Sequence, residues 1–409
     1  MMEETDQTAD SSEPAPLWEV VPVTKYAVPG AQAQKTAAAG WRSLKKIFQR
    51  KDIADTPFKD EQELHALPEV RLAHLVPPLP WKDAAAAASI TLQDWMAIDS
   101  RATAVKFFIG QPFSGHAEIV SLLGDQHQAV EIKPPSSEQI LSNDHGWFDS
   151  WPSSATFWVL PNLEHCYLRH AKGLDLVRRL LSLAANGQLG KGLIGCDSWA
   201  WAYIQRIFPL PHVDAVTLQA FDAERLQDLI CDLMLSGAKR KVYCYNAANG
   251  QEIIGPSAQQ KQLQKEFAEL ASHCRGNVAV AITYWRDRLR LGPDEDVDGD
   301  DKKTAEHPVK DRSGEHIWVA SMPPEAELPM KNDEGYLLLL HTMLLHGGLS
   351  DLLLTDLLPF SASHSQGLLG QLQQFGIVTC IDGRWQVREL AYLAVRRLLS
   401  GHDYLTDEF

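Results

Sequence analysis

The sequence lacks several features that define large classes of proteins. It has no apolar run approaching the roughly 18 residues of a membrane-spanning helix. Its first residues are acidic and polar, unlike a secretory signal. The cysteines are scattered, with neither a C-x-x-C pair nor histidines at zinc spacing; they are Cys166, Cys196, Cys231, Cys244, Cys274 and Cys380. We therefore expect reduced thiols, no metal centre and a cytoplasmic protein.

Basic residues are also scarce. Lysine and arginine together number 38, against 53 aspartates and glutamates, which gives a formal net charge of -15. Such a chain has no general attraction to a nucleic-acid backbone, so nucleic acid is not expected as a partner. With 409 residues and a hydrophobic fraction of 45%, the chain can bury a substantial core, and we expect two folded domains plus disordered parts.

The N-terminal region, residues 1–89, contains acidic, Ser/Pro/Ala-rich and Pro-rich pieces with little apolar periodicity. Most of it is therefore predicted to be disordered. One segment, Trp41 to Lys51 (residues 41–51), places four apolar residues at helical spacing among five basic residues. This pattern suits a helix on an anionic membrane surface, at the inner face of a membrane, or in the groove of a partner protein. The alternative is a transient helix without a fixed role.

Residues 90–213 have the pattern of an α/β core. Three continuous apolar runs are separated by helical periodicity; they are residues 104–110, 155–160 and 192–196. Apolar strands that alternate with helices are typical of a buried parallel sheet. Helical patterns continue over 214–291, which we expect to form a helical lid, and residues 292–332 are predicted to be an acidic linker.

The last segment, residues 333–409, has a pattern of its own. Three helical stretches precede two short strands around Asp382-Gly383, a sequence that favours a tight hairpin turn. Three helices and a hairpin predict a winged helix. The third helix, residues 361–372, contains no lysine or arginine, which favours a protein-binding surface over DNA binding.

The first apolar run leads into a glycine turn with the spacing of a phosphate-binding loop. The working pattern is G-x-x-x-x-G-K-[ST], in which backbone amides, a lysine and a hydroxyl hold phosphates and magnesium. Gly110 and Gly115 have that spacing, but His116 replaces the lysine and Ala117 replaces the hydroxyl. A methyl group cannot bind a metal, and a histidine near its reference pKa of about 6.5 is a poor substitute for an ammonium group. The candidate nucleotide-binding residues of this degenerate loop are Gly110, Phe113, Ser114, Gly115, His116 and Ala117.

The order of these segments resembles the AAA+ and related signal-transducing (STAND-like) P-loop ATPases, over about residues 95–400. The blocks 161–170 and 195–201 are similar to those of a divergent bacterial subfamily. The resemblance implies an α/β fold: a P-loop NTPase-like parallel sheet with a helical lid, followed by a C-terminal winged helix, after a disordered N-terminal region.

The same resemblance assigns roles to further residues. In the family, the strand before residue 161 ends in two acids that position magnesium and activate water, but here Pro161 and Asn162 follow it. Glu164 is then a weak catalytic candidate, or pairs with Arg169 or caps a helix. Asp197 and Ser198 occupy the polar position that senses a terminal phosphate in the family. In the lid, Arg275-Gly276-Asn277 resembles the start of the helix that presents a second sensing residue, which would be Arg286 or Arg288. The alternative is that these two arginines face solvent and pair with Asp287 or nearby acids.

With several catalytic groups replaced, useful ATP hydrolysis is not expected. The leading hypothesis is a non-catalytic ATPase-like scaffold or regulatory protein that acts through protein partners and is able to form oligomers. One alternative is an atypical ATPase switch that binds ATP or ADP, without a well-formed magnesium site, at the N-terminus of the helix after Gly115. Another alternative is a winged-helix transcription regulator.

Overall fold

The computed structural model describes residues 16–29, 64–98, 104–152, 156–210, 214–236, 241–292, 314–329 and 333–409. The basic segment at 41–51 and the acidic run at 294–301 lie outside these residues, and the predictions made for them stay predictions. None of the helices in the described ranges is long and apolar enough to cross a membrane.

A mainly parallel sheet forms the centre of the α/β part. Five parallel strands lie in the order β7-β3-β6-β5-β4, and β1 joins the edge antiparallel to β7. Their bounds are β1 Val20–Pro22, β3 Val105–Gly110, β4 Val130–Glu131, β5 Trp158–Leu160, β6 Gly192–Asp197 and β7 Ala215–Leu218. From β3 the chain passes to the edge strand β4 and returns through β5 to β6, which lies beside β3. It then crosses to β7 on the other side of β3, so the strand order reverses at β3. Ligand sites of open α/β sheets lie at the carboxyl ends of strands at such a switch point.

Helices pack on this sheet because their apolar residues recur on one face. In the helix Asp175–Ala185, for example, Leu176, Leu180 and Leu181 are buried while the polar face is exposed. The helices of this part are α1 Glu69–Leu75, α2 Trp81–Ala97, α3 His116–Gln126, α4 Ser137–Ser142, α5 Asp175–Ala185 and α6 Ser198–Ile207. The predicted alternation of strand and helix is confirmed for β3, β5 and β6.

A second, five-stranded sheet replaces much of the predicted helical lid. Its order is β2-β10-β11-β8-β9, with β11 parallel to β8 and the other pairs antiparallel. Its strands are β2 His65–Ala66, β8 Val242–Asn246, β9 Glu252–Ile254, β10 Leu289–Leu291 and β11 Glu315–Val319. The helices α7 Ala223–Ser236, α8 Gln260–His273 and α9 Val278–Arg288 accompany it. An all-helical lid at 214–291 is therefore wrong, as is a linker throughout 292–332, because β11 is an inner strand of this sheet.

The predicted disorder of residues 1–89 is also wrong in part. Trp18 is buried against the rings of Trp81 and Phe221, and β1 extends the main sheet. Residues 64–89 supply β2, α1 and the first half of α2. These segments pack against residues that are remote in the sequence, and such contacts cannot be predicted from local composition.

The C-terminal part contains the predicted three helices and hairpin, followed by one more helix. They are α10 Glu334–Leu345, α11 Asp351–Leu357, α12 Ala362–Gln374, β12 Val378–Ile381, β13 Arg384–Val387 and α13 Glu389–Gly401. Asp382 and Gly383 both have positive φ, 51° and 76°, as the tight turn requires. Helix α10 is buried on almost all sides, so it is the central helix of this part and contacts α6, α13 and β13.

Candidate functional site

The glycine loop leaves β3 at Gly110 and ends at Gly115, which caps α3 in the left-handed conformation with φ 70°. A ring lies directly on it: a Cβ at Gly115 would be 2.5 Å from Cε2 of Trp81. Phe113 also has a positive φ, 68°, and its ring packs edge-on against Tyr392. The loop is thus covered by aromatic side chains from α2 and α13.

His116, at the lysine position, is paired with Glu164. Nε2 of His116 lies 3.0 Å from Oε1 of Glu164, and both residues are buried, with exposed fractions of 9% and 3%. A short 3-10 turn, Leu163–His165, follows β5 and brings the carboxylate back to the loop. The other oxygen, Oε2, accepts the backbone N–H of Asp197 at 3.1 Å. Glu164 therefore joins three strand ends, those of β3, β5 and β6.

The positive charge of His116 is neutralised by the buried carboxylate of Glu164. Burial lowers the pKa of His116, but the charge and hydrogen bond of Glu164, with Asp197 and Glu118, raise it to about 8. Burial in turn raises the pKa of Glu164, and His116 more than offsets this, so the pKa of Glu164 lies below its usual value. Burial, together with the nearby Glu164, holds the pKa of Asp197 well above its usual range. The main charges are thus one imidazolium and one carboxylate that neutralise each other.

Asp197 uses its side chain locally. Its Oδ1 accepts the N–H of Trp199 at 2.8 Å and so caps α6. Ser198 points to another partner, because its hydroxyl donates to Asp407, which also pairs with Arg396 at 2.8 Å. Of the two residues expected at the phosphate-sensing position, Asp197 lies beside the loop and Ser198 takes part in a separate contact with the C-terminal part.

The C-terminal part docks on the residues around Glu164. The Tyr167 hydroxyl donates to the carbonyl of Leu345 at 2.6 Å, and the N–H of Arg169 donates to Nε2 of His346 at 3.3 Å. Burial lowers the pKa of His346 to about 3, so the neutral ring can accept this bond. A Cβ at Gly347 would lie 3.4 Å from Cγ of Glu164. The end of α10 is therefore seated against the turn that carries Glu164.

A cavity of about 280 Å³ remains beside the loop. It is small for a nucleotide, since sites for drug-sized ligands span roughly 300 to 1,000 Å³. Its wall includes Trp81, Gly115, His116, Glu164, Asp197, Met343 and Gly347. Both the α/β part and the C-terminal part thus line it.

The loop is also held from its other side. Nδ2 of Asn277, the N-cap of α9, donates to the carbonyl of Pro112 at 2.9 Å and to Oε1 of Gln111 at 3.2 Å. Gln111 in turn donates to the hydroxyl of Tyr26. The hydroxyl of Ser114 is buried and has no hydrogen-bond partner among the described residues. The side-chain amide of Gln111 and the backbone carbonyl of Pro112 therefore bond to residues of other elements.

The lid arginines serve structural contacts. Arg286 donates to the carbonyl of Val76 and pairs with Glu69. Arg288 pairs with buried Glu266 and donates to the carbonyl of Ala320. Arg275 is directed to the carbonyl of Phe409 at 2.7 Å.

The structure brings together most of the residues expected from the sequence: Gly110, Phe113, Ser114, Gly115, His116, Ala117, Glu164 and Asp197. Sequence reasoning missed Trp81, Asn277 and the Met343–Gly348 segment, which come from remote elements. A weak signal existed only for Asn277, since an asparagine before an apolar helical run is a typical N-cap. In the described ranges, no group of three or more His, Cys, Asp or Glu residues is arranged to hold a metal ion.

No family model matches the sequence, and no curated protein matches it. Among solved structures, the RuvB Holliday junction branch migration motor of Thermotoga maritima is similar over 81% of this chain and 96% of that chain, at 11% identity and a TM-score of 0.31. A likeness at this level assigns neither a family nor an activity to the chain.

Proposed function

We propose that the protein is a non-catalytic scaffold of P-loop-like architecture that acts through protein partners. The observation that carries this proposal is the pair of His116 and Glu164, buried at the place where a phosphate loop has its lysine. In a working loop that position supplies an unpaired cation to the phosphates. Here the cation is already neutralised within the chain.

Electrostatics supports the absence of phosphoryl transfer. A nucleotide phosphate at this loop would compete with Glu164 for His116, next to Asp197 and Glu118. Such transfer depends on positioned cations and a metal that neutralise developing charge. Ala117 has no hydroxyl for a metal, and Pro161 and Asn162 stand where the family has two acids.

Steric arguments point the same way. Trp81 covers Gly115, and Met343 with Gly347 closes the cavity from the C-terminal side. For a nucleotide to bind here, the C-terminal part would have to move away and break its hydrogen bonds with Tyr167 and Arg169. In this proposal the glycine loop instead forms part of the contact between the α/β part and the C-terminal part.

The C-terminal part, taken as a winged-helix domain, is the proposed partner surface. It exposes three large apolar side chains, with Leu352 80%, Phe375 51% and Ile381 51% accessible. Helix α12 carries no lysine or arginine, so it lacks the cations that hold a recognition helix on phosphates. A protein partner with an apolar patch fits this surface better than DNA does.

Calorimetric titration of the full chain with ATP and ADP in the presence of magnesium tests the non-catalytic part of the proposal. We expect no saturable heat up to about 1 mM nucleotide, a concentration that detects sites of millimolar affinity. A parallel phosphate-release assay is expected to give no turnover above buffer.

Two variants make this experiment decisive. His127→Ala changes an exposed histidine just beyond α3 and serves as the matched control for His116→Gln. Magnesium-dependent turnover that survives in His127→Ala and disappears in His116→Gln would overturn the proposal and establish the atypical ATPase switch. Absence of turnover in all three proteins supports the scaffold.

A further inference from the structure

A second, larger cavity lies away from the glycine loop. It measures about 730 Å³ and is bounded by the end of α8, the segment 322–325 and α13. This volume falls within the range of roughly 300 to 1,000 Å³ that is usual for small-molecule sites. Part of the wall is apolar, with Met322, two prolines and Leu393.

Three residues of the wall have buried polar atoms that bond nothing in the described part of the chain. These atoms are Oγ of Ser272, Nε2 of His273 and Nε of Arg275. Ser272 is only 5% exposed, and its hydroxyl does not make the bond to the preceding helical turn that serines in helices commonly make. Buried polar groups are normally paired, so three orphans at one cavity indicate a missing partner.

Three arginines line the cavity, and two of them, Arg275 and Arg396, share the negative charge of Asp407. Arg396 is paired with Asp407, and Arg397 is paired with Glu325. Arg275 donates through Nη2 to the main-chain oxygen of Phe409, which also accepts from Arg396 at 2.9 Å, and it has no salt bridge within 4 Å to a side chain in the described ranges. One carboxylate thus faces two guanidinium groups, which leaves this part of the wall positive. Glu269 also lines the wall, where burial and the nearby Glu266 raise its pKa.

We propose that this cavity binds the phosphate monoester of a small organic molecule. Arg275, Ser272 and His273 offer a guanidinium, a hydroxyl and an imidazole, a set that suits a tetrahedral anion with several acceptor oxygens. The apolar wall at Met322 and Leu393 receives the organic body of the ligand. This site is separate from the glycine loop and does not depend on the function proposed for it.

Phenyl phosphate is the probe, because it combines the phosphate with an apolar ring and is not a nucleotide. Titration of the full chain by calorimetry is expected to show one saturable site with a dissociation constant on the order of a millimolar, given about eleven non-hydrogen atoms. Ser272→Ala should weaken binding about tenfold or more, because it removes a hydrogen bond to a charged group. Arg275→Gln should weaken it further.

The matched control is Ser365→Ala, which also removes a buried hydroxyl that has no partner in the described ranges, but in α12. It should leave phenyl phosphate binding unchanged. Because the Ser272 hydroxyl bonds nothing in the described part, Ser272→Ala is expected to fold even if Arg275→Gln does not. No saturable binding by the wild-type chain, or equal binding by wild type and Ser272→Ala, would overturn the proposal. If benzoate binds as tightly as phenyl phosphate, the site does not select phosphate and that assignment is wrong. If inorganic phosphate binds as tightly as phenyl phosphate, the apolar wall does not bind an organic group and that part of the proposal is wrong.

Discussion

Replacing His116 with alanine lowers the free energy of unfolding by about 3 kcal/mol at pH 6, because it leaves a buried carboxylate without its cation. Glu164 is only 3% exposed, and outside its own turn the N–H of Asp197 is the hydrogen-bond donor that remains to it among the described residues. Equilibrium unfolding in urea, followed by tryptophan fluorescence, measures the loss. It exceeds the effect of most point substitutions.

Two further variants separate the ion pair from a general effect of the substitution. His127→Ala, in which the exposed partner of Ser89 is removed, should cost less than about 0.5 kcal/mol. Adding Glu164→Gln to His116→Ala should recover much of the loss, because the uncompensated charge is gone. Equal losses from the two histidine variants would contradict the ion pair.

The same pair gives stability a defined pH dependence. The pKa of His116 is about 8 in the folded chain and 6.5 in the unfolded chain. Its contribution to the free energy of unfolding is therefore complete below pH 6.5 and is lost as the pH rises through 8. That difference corresponds to about 2 kcal/mol. The pKa of Glu164 lies below 4.5, so its contribution is present above 4.5 and is lost as the pH falls through the lower folded value. The difference between wild type and His116→Ala should therefore be greatest between pH 4.5 and 6.5.

Replacing Arg396 with alanine should also cost about 3 kcal/mol, because Asp407 would then be a buried anion that has lost its ion-pair partner. Asp407 is 4% exposed and joins Arg396 of α13 to the Ser198 hydroxyl at the start of α6. Thermal and urea unfolding of the variant, without added ligand, measure the effect.

The neighbouring arginine provides the matched control. Arg397 is 64% exposed and pairs with Glu325 at the surface, where solvent screens the interaction. Arg397→Ala should therefore change stability by at most about 1 kcal/mol. Similar losses from Arg396→Ala and Arg397→Ala would show that the contact between Asp407 and α13 does not hold the C-terminal part in place.

The elements that the sequence predicted are those specified by local patterns. β3, β5 and β6 are continuous apolar runs, and the glycine spacing marks the turn into α3. β4 escaped detection because its two residues, Val130 and Glu131, are both exposed and carry no alternation. The second sheet escaped because β11 pairs with β8 some seventy residues earlier in the chain, and pairing at that distance has no local signal.

The site was predictable to the extent that strand ends define it. Gly110 and Asp197 lie opposite each other because β3 and β6 are neighbours, and both were identified from the sequence. The alternative pairing of Glu164 with Arg169 was wrong: its partner is His116, because the 3-10 turn that returns the carboxylate to His116 depends on packing rather than on a sequence pattern. Trp81 and Gly347 reach the loop from remote elements and could be assigned only from the structure.

An NMR titration of the His116 imidazole, with and without magnesium and ATP, tests whether the cation of the glycine loop is neutralised within the chain. We expect a pKa of about 8 in both conditions and a clearly lower pKa in Glu164→Gln, because Glu164 makes the largest of the contributions that offset burial. The His127 resonance, on an exposed side chain, serves as the internal control. A pKa at or below 6.5 in the wild-type chain, or resonances of His116 that move with ATP, would contradict the internally neutralised loop.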